Sequence, residues 1–435
     1  MRKDEVKKLL KEASIEEGDF IEIRTGGKTY RGMLLPSHAF SQSDIIIKLE
    51  SGYNVGIVID GPVSIKLIRK KSRAERGRRS TPHNSKKPTV SLIGTGGTIA
   101  SRIDYATGAV HPASTSEEIA LSVPEIFDIC NLNAKVIFQK FGEDIAPSDW
   151  AKIAEETAKE LNSGADGVII SHGTDTMSYT SAALSFMLKN LNGPVVLTGS
   201  QRSSDRPSSD AFQNLLASAR VATSDLGEVA VVMHGTPSSG QCHIYRATKV
   251  RKMHSSRRDA FRSINGHPLG FVDSRVHLFK GYRRKGNGEA IADTLLNTNV
   301  SLLYYHPNLD SDTFLRMVEG KEGVVIAGTG LGHVSNEIVK AIKEVAGEGT
   351  TVVMTTQCIW GRVNMNVYAT GRRLIEAGVI SGEDMLPETA LVKLMWVLAH
   401  FEGDEIKKMM GKNIAGEISE RMLYDAYPEQ KKYMA

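Results

Sequence analysis

Two threonines, an aspartate and a lysine are the residues whose types and surroundings could do chemistry in this chain. Thr98 ends the run Val90-Ser91-Leu92-Ile93-Gly94-Thr95-Gly96-Gly97-Thr98, in which an apolar strand empties into a glycine-rich turn tipped with a hydroxyl. Thr174 and Asp175 lie in Gly167-Val168-Ile169-Ile170-Ser171-His172-Gly173-Thr174-Asp175-Thr176-Met177, a second buried strand running into a polar turn. A threonine hydroxyl is almost never ionised at neutral pH, so a threonine nucleophile needs a base, and a lysine base needs an orienting carboxylate. Lys252, which opens Lys252-Met253-His254-Ser255-Ser256-Arg257-Arg258-Asp259-Ala260-Phe261, meets that need together with Asp175. The competing reading makes Thr174-Asp175 a helix N-cap pair, which is common at strand-to-helix turns and is the stronger reading of that motif alone.

Other chemistries fit less well. Three glycines after a strand can cradle a phosphate, but the dinucleotide fingerprint wants a glycine or alanine at Ile99, and no P-loop lysine follows. Gly27-Lys28-Thr29 fails as a P-loop because Glu22 stands where a glycine belongs and Lys28 falls in a hairpin turn. No ATP site is expected here. His172 and His254 lack the HExxH or any comparable ligand spacing, so they read as packing or hydrogen-bonding residues, and no metal is expected.

The elements that must position these groups follow from the apolar patterning. Thr89 to Ile93, Gly167 to Ile170, Pro194 to Thr198 and Val229 to Met233 are continuous apolar runs, each followed by a polar or glycine-rich turn. That pattern predicts a parallel sheet covered on both faces, with its chemistry at the carboxyl ends of the strands. A polar, hairpin-like segment from Phe271 to Asn297 precedes a second α/β series at Ser301 to Tyr305, Gly323 to Ala327 and Thr351 to Thr355. Before Pro88 the character differs: a short amphipathic helix ending near Ala13 is followed by five short strand-like runs separated by turn residues, which predicts a small β-barrel. Without an aromatic stacking pattern for RNA, a docking role is the better reading of that barrel. The predicted organisation is a barrel over 1–70, a basic linker over 71–87, and two α/β domains over 88–296 and 297–435. Trp360 and Trp396 are expected to pack in the second of these, and Met409-Met410 to face a helix interface.

Length and composition agree with a globular chain of two to three domains: 435 residues, 41% apolar and 24% charged. No signal-peptide core or membrane-length apolar run is visible, so the cytoplasm is the expected compartment. Cys130, Cys242 and Cys358 lie far apart and read as small buried residues rather than a disulfide or zinc set. The net charge of +4 is uneven: Arg69 to Lys87 carries nine Lys/Arg against Glu75, which leaves the rest at −4. A solvated linker explains that segment, with contact to an anionic partner such as RNA as its second use.

Taken together, the TGGTIA turn, the HGTDT turn, Lys252 nine residues ahead of Phe261, and Leu197-Thr198-Gly199-Ser200-Gln201-Arg202 resemble the two-domain L-asparaginase/glutaminase family from about Pro88 to about His400. The resemblance implies an α/β body of two parallel-sheet domains, with Thr98 as nucleophile and Thr174, Asp175 and Lys252 as a second catalytic set. It implies acyl transfer in two steps, with ammonia leaving and water hydrolysing the threonyl ester. Backbone amides of the glycine turn before Thr98 are natural oxyanion donors, and Gly97 and Gly173 fall on the substrate side with Glu143 and Asp144. There Gly142-Glu143-Asp144 replaces the family's usual serine, glutamine and aspartate. A loop from Ser101 to Val110 is expected to close over the substrate, with Tyr105 the nearest counterpart of the loop tyrosine of many asparaginases.

The added barrel and linker make the whole chain similar to the D-subunit family of archaeal glutamyl-tRNA(Gln) amidotransferases. That resemblance implies glutamine as amide donor and a homodimeric core carrying two E subunits. It also implies tRNA(Gln) bound mainly by E, with ATP and Mg at the E subunit and no cofactor in this chain. A free-standing L-asparaginase with an extra domain is the alternative. A non-enzymatic RNA-binding scaffold is a third class, disfavoured because all four catalytic positions are filled.

Overall fold

The computed structural model describes residues 3–35, 44–49, 54–59, 61–70, 84–96, 101–104, 109–112, 123–202, 208–238 and 240–427. Thr98, Gly97, Tyr105 and most of the basic segment, 71–83, lie outside the described residues.

The chain opens with helix α1 (Lys3–Glu12) and strands β1 (Phe20–Thr25), β2 (Lys28–Leu34), β3 (Asp44–Lys48), β4 (Asn54–Val58) and β5 (Val63–Arg69), which form an antiparallel sheet in the order β4-β3-β2-β1-β5. Gly26 and Gly27 join β1 to β2 with φ of +54° and +74°, and Thr25 pairs Lys28. A two-residue hairpin turn requires positive φ at such positions, and glycine supplies it without a Cβ clash. Ile21, Ile23, Ile45, Ile47 and Ile57 on three of the strands, with Ile59 just past β4, are all buried in one cluster.

The first α/β unit runs β6 (Thr89–Gly94), β7 (Ser101–Asp104), β8 (Ala109–Pro112), α2 (Ile126–Ile129), β9 (Asn131–Val136), α3 (Pro147–Asn162), β10 (Gly167–Ser171), α4 (Met177–Met187), β11 (Leu188–Lys189), β12 (Val195–Thr198), α5 (Ala211–Ala222), β13 (Val229–His234), β14 (Cys242–Arg246), β15 (Val250–Lys252), β16 (Phe261–Ser263), β17 (Gly270–Val272) and β18 (Val276–Leu278). Its eight-stranded sheet has the order β18-β17-β14-β13-β12-β10-β6-β9. From β9 to β13 the pairings are parallel; the β14, β17 and β18 extension is antiparallel. After β19 (Ile291–Ala292), which pairs with β11, the second unit comprises β20 (Val300–Tyr304), α6 (Ser311–Val318), β21 (Gly323–Gly328), α7 (Asn336–Gly347), β22 (Thr351–Thr356), α8 (Ala369–Glu376), β23 (Ile380–Ser381), α9 (Pro387–His400) and α10 (Asp404–Met410). Its four-stranded sheet, β20-β21-β22-β23, is parallel throughout.

The two units share one core. Ile170, Phe186 and Met187 from the first lie in the same buried cluster as Val325, Val353, Leu394, Trp396 and Met410 from the second. Helix α9 packs along α4, and the Phe186 and Trp396 rings stack with centroids 6.4 Å apart. Trp396 therefore bridges the units instead of packing within the second alone. Truncating such a buried aromatic to alanine typically costs about 3–5 kcal/mol, so this seam is not a sliding contact. Met410 is buried in the same cluster with Met409 against it.

Behind α9 the chain turns back on itself. Lys393 is fully buried and its Nζ reaches Glu417 at 2.6 Å and the carbonyls of Met410 and Lys412. Glu417 in turn accepts from the amides of Ile414 and Ala415. The Ala415 carbonyl accepts from Thr248 Oγ1 at 3.1 Å, and the Ser419 amide donates to Asp384, whose carboxylate pairs with buried Lys249 at 2.6 Å. Segment 414–419 is thereby bonded to the turn that leads into β15.

Three expectations need correction. Cys130 and Cys242 are buried, but Cys358 is exposed, because it follows β22 outside the sheet. Residues 101–104 and 109–112 form a regular antiparallel ladder, Ser101↔Pro112 to Asp104↔Ala109, so most of the expected closing loop is paired backbone. Finally, Thr176, not Thr174-Asp175, occupies the N-cap position of α4, with no side-chain cap bond.

Candidate active site

Parallel pairing of β6 with β10 brings the two polar turns to the same edge of the sheet, with Gly94 opposite Ser171 at their ends. Thr95 fastens one turn to the other, since its amide and its Oγ1 both donate to the Ser171 carbonyl, at 3.2 and 2.8 Å. The third parallel strand contributes next: the His172 amide donates to the Thr198 carbonyl at 2.9 Å. Glycines permit this crowding. Gly96 has φ of +123°, and a Cβ there would lie 2.1 Å from the Lys140 carbonyl oxygen; at Gly199 a Cβ would meet the His172 carbonyl at 2.5 Å.

Lys252 arrives from the opposite side on a short hairpin. β15 pairs β16 with Lys252 opposite Phe261, which explains why the lysine and phenylalanine stand nine residues apart. The hairpin is braced from within. Asp259 is buried and accepts from Arg257 Nε at 2.8 Å and Nη2 at 2.9 Å, and from Arg262 Nη2 at 2.8 Å. Burial alone would raise the Asp259 pKa, but the bonds from Arg257 and Arg262 outweigh it and hold the carboxyl well below the usual carboxylate range. Tyr245 adds a bond from its hydroxyl to the Phe261 carbonyl at 2.9 Å. Arg257 of the KMHSSRRDAF motif and Arg262 just past it thus brace the hairpin that presents Lys252.

From that strand Lys252 Nζ donates to Thr174 Oγ1 at 3.0 Å and to Asp175 Oδ1 at 2.7 Å. The Thr174 hydroxyl is buried, the lysine side chain is 12% exposed, and Asp175 is 71% exposed at the mouth. This is the geometry a base–hydroxyl pair needs: hydrogen-bond reach to the hydroxyl, and a third group that orients the base.

Glu143 and Asp144, expected on the substrate side, are exposed on a single 3-10 turn, Gly142–Asp144. That turn is pressed onto the second motif, because Thr176 Oγ1 donates to the Gly142 carbonyl at 2.6 Å and a Cβ on Gly173 would lie 3.1 Å from Gly142 Cα. Glu143, Asp144 and Gly173 therefore belong to one locale with Thr174 and Asp175, while Thr98 and Gly97 lie beyond the described residues.

Sequence reasoning missed what stands behind the turn. His172 is buried, its Nδ1 lies 2.7 Å from the Gly173 carbonyl, and its Nε2 lies 2.9 Å from Thr180 Oγ1. Trp150 Nε1 donates to that same Thr180 oxygen at 3.0 Å. No motif announces the set, since its members come from a strand end and two helices. His254, the other histidine beside the motif, spends its Nδ1 on the amides of Ser256 and Arg257, both at 3.1 Å. Among the described residues no group of three or more His, Cys, Asp or Glu is placed to hold a metal ion, and no helix is long and apolar enough to cross a membrane.

Comparison with known proteins agrees with this architecture along the chain. Residues 89–283 match the asparaginase N-terminal family model, 299–410 the glutaminase/asparaginase C-terminal domain, and 15–68 the GatD N-terminal domain. The D subunit of the glutamyl-tRNA(Gln) amidotransferase of Pyrococcus furiosus is 52% identical over 426 residues, covering 95% of this chain and 97% of that protein. Its counterpart in Saccharolobus solfataricus is 48% identical over 429 residues, covering 97% and 96%. Among solved structures, the thermostable L-asparaginase of Thermococcus kodakarensis superposes with a TM-score of 0.69 at 36% identity, covering 77% of this chain and all of that one. L-asparaginase I of Vibrio cholerae gives 0.66 at 29%, covering 77% and 99%.

Proposed function

Because the chain belongs to the D-subunit family of glutamyl-tRNA(Gln) amidotransferases, which carries an asparaginase body, we propose that it hydrolyses the side-chain amide of glutamine and supplies the ammonia for amidation of Glu-tRNA(Gln). The observation that carries the chemistry is the Thr174–Lys252–Asp175 cluster at the carboxyl edge of the sheet. Thr98 Oγ attacks the amide carbon and its proton passes to the lysine set. The tetrahedral centre collapses as the amide nitrogen takes up a proton, and ammonia leaves. Water then adds to the threonyl ester, Thr98 recovers its proton, and glutamate departs. Lys252 Nζ lies within proton-transfer reach of the Thr174 hydroxyl and is oriented by Asp175, so the set can take up a hydroxyl proton and return it.

Developing negative charge on the amide oxygen is met by backbone N–H groups of the two turns. In the second turn the Gly173 carbonyl is bonded inward to His172, and a trans peptide places its N–H opposite its C=O, so the Thr174 amide faces away from the core. Glu143 and Asp144, pressed against the turn, recognise the polar end of the amino-acid substrate.

The ammonia is consumed by a partner E subunit that binds tRNA(Gln) and holds ATP and Mg, around a homodimeric core of this chain carrying two E subunits. The match over 15–68 supports this assignment over a free-standing L-asparaginase, since the Thermococcus kodakarensis L-asparaginase covers 77% of this chain. The test is ammonia release from glutamine and from asparagine by the purified chain, alone and then with an E subunit, Glu-tRNA(Gln) and ATP. Strong stimulation by the full mixture is expected. Rapid asparagine hydrolysis, indifferent to those additions, overturns the proposal in favour of the asparaginase.

A further inference from the structure

The groups behind the second turn form a directional chain. Each of the two atoms facing the His172 ring has a defined role. The Gly173 carbonyl can only accept, so Nδ1 carries the ring proton and donates to it at 2.7 Å. Trp150 Nε1 can only donate, and it donates to Thr180 Oγ1 at 3.0 Å, leaving that hydroxyl's own proton for Nε2 at 2.9 Å. The polarity therefore runs one way, from Trp150 on α3 through Thr180 on α4 and His172 at the end of β10 to the Gly173 carbonyl.

We propose that Trp150, Thr180 and His172 are positioning residues for amide hydrolysis, which fix the plane of the Gly173–Thr174 peptide so that the Thr174 amide is held ready for the oxyanion. The inference rests on the hydrolytic reading above. A glycine peptide is the most easily rotated in the turn, because residue 173 lacks a Cβ to limit its φ and ψ. Rotation of that peptide swings the Gly173 carbonyl away from His172 and turns the Thr174 N–H off the crevice, the two groups being rigidly opposed across a planar trans bond. The bond from Nδ1 opposes this rotation directly. Thr180 acts one step back: by donating to Nε2 it keeps the ring proton on Nδ1, where the Gly173 carbonyl needs it. Trp150 orients Thr180 in the same way. Burial supports the arrangement, since it lowers the His172 pKa from 6.5 to about 4 and keeps the ring neutral, with Nε2 free to accept, at the pH of catalysis. None of the three side chains is needed to touch substrate.

The test compares three variants in glutamine hydrolysis by the full chain with its E subunit. In His172→Asn the amide nitrogen takes the place of Nδ1 and can still donate to Gly173. In His172→Gln it takes the place of Nε2, and the bond to Gly173 is lost. Thr180→Val removes the proton donated to Nε2 with little change in shape. Thermal melts establish the folded fraction, and kcat and KM are referred to it. The expected result is a kcat about 10- to 100-fold lower in His172→Gln with KM nearly unchanged, as follows when an interaction made only in the transition state is weakened. His172→Asn should recover most of that loss, and Thr180→Val should fall several-fold. Wild-type kcat in folded His172→Gln overturns the proposal, and so does an equal loss in the Asn and Gln variants, which marks a purely packing role. If His172→Gln does not fold, Thr180→Val decides, and an unchanged kcat there overturns it. Failure of the wild type itself to hydrolyse either amide is a different result, which removes the functional reading and the relay with it.

Discussion

Replacing Lys252 by methionine separates catalysis from stability, because the structure assigns the two effects very different sizes. Methionine keeps most of the stem and removes Nζ with its bonds to Thr174 at 3.0 Å and Asp175 at 2.7 Å. Asp175 is 71% exposed, so it rehydrates once its partner is gone, and a pair with one member in water is worth at most about 1 kcal/mol. The buried Thr174 hydroxyl loses a partner, which costs about 1–2 kcal/mol more. Together that lowers the melting temperature of a domain this size by less than about 10 °C. Removing the group that handles the threonine proton, in contrast, should lower turnover by about 10²–10⁴-fold, equivalent to about 3–5 kcal/mol of transition-state stabilisation. Ammonia release from glutamine, measured alongside a thermal melt, tests both numbers. A folded Lys252→Met protein with turnover within about threefold of wild type would remove the lysine from the mechanism.

Other perturbations have equally definite signs. His172 is neutral in the fold with a pKa near 4 but ordinary in the unfolded chain, so the unfolded state binds the extra proton as pH falls from about 6.5. Stability should therefore drop between pH 6.5 and 4, by up to about 3 kcal/mol from this group, with buried His234 and half-buried His243 shifted in the same direction; denaturant midpoints that stay flat across that window refute it. Gly96→Ala demands a Cβ 2.1 Å from the Lys140 carbonyl at φ of +123°, and should abolish turnover by displacing the first turn, as circular dichroism and ammonia release from the same sample will show. Asp384→Asn leaves Lys249 buried without a counter-charge, a type of change that costs about 3–5 kcal/mol, and should lower the melting temperature more than Lys252→Met does.

The positions of the catalytic turns were legible in the sequence because an apolar β-branched run followed by glycine and hydroxyl residues has few other uses. β6 and β10 end within a residue of where that patterning stops. Lys252 was a candidate base by its type, but resemblance singled it out: alone it is one lysine in a basic stretch, and its meeting with Thr174 spans 78 residues. The N-cap reading of Thr174-Asp175 failed because α4 begins later, at Met177, and Lys252 takes both side chains. Trp396 gave no sign of crossing between units, since periodicity marks a buried face but not the element it meets. Cys358 was misplaced because a small apolar residue just past a strand looks the same whether the chain turns inward or out. The His172 relay joins residues from three elements by single hydrogen bonds, and no local pattern encodes such a meeting.

The returning segment 414–419 also has a consequence in time. It is made after everything it binds, yet it holds Thr248 through Ala415 and reaches Lys249 through Asp384, immediately before the strand that presents Lys252. Until those residues have emerged and folded back, the lysine hairpin is missing its rear support, while the sheet that carries both threonine turns is already complete. A nascent chain growing from its N-terminus thus assembles the sheet and its polar turns first and completes the support of the Lys252 hairpin last.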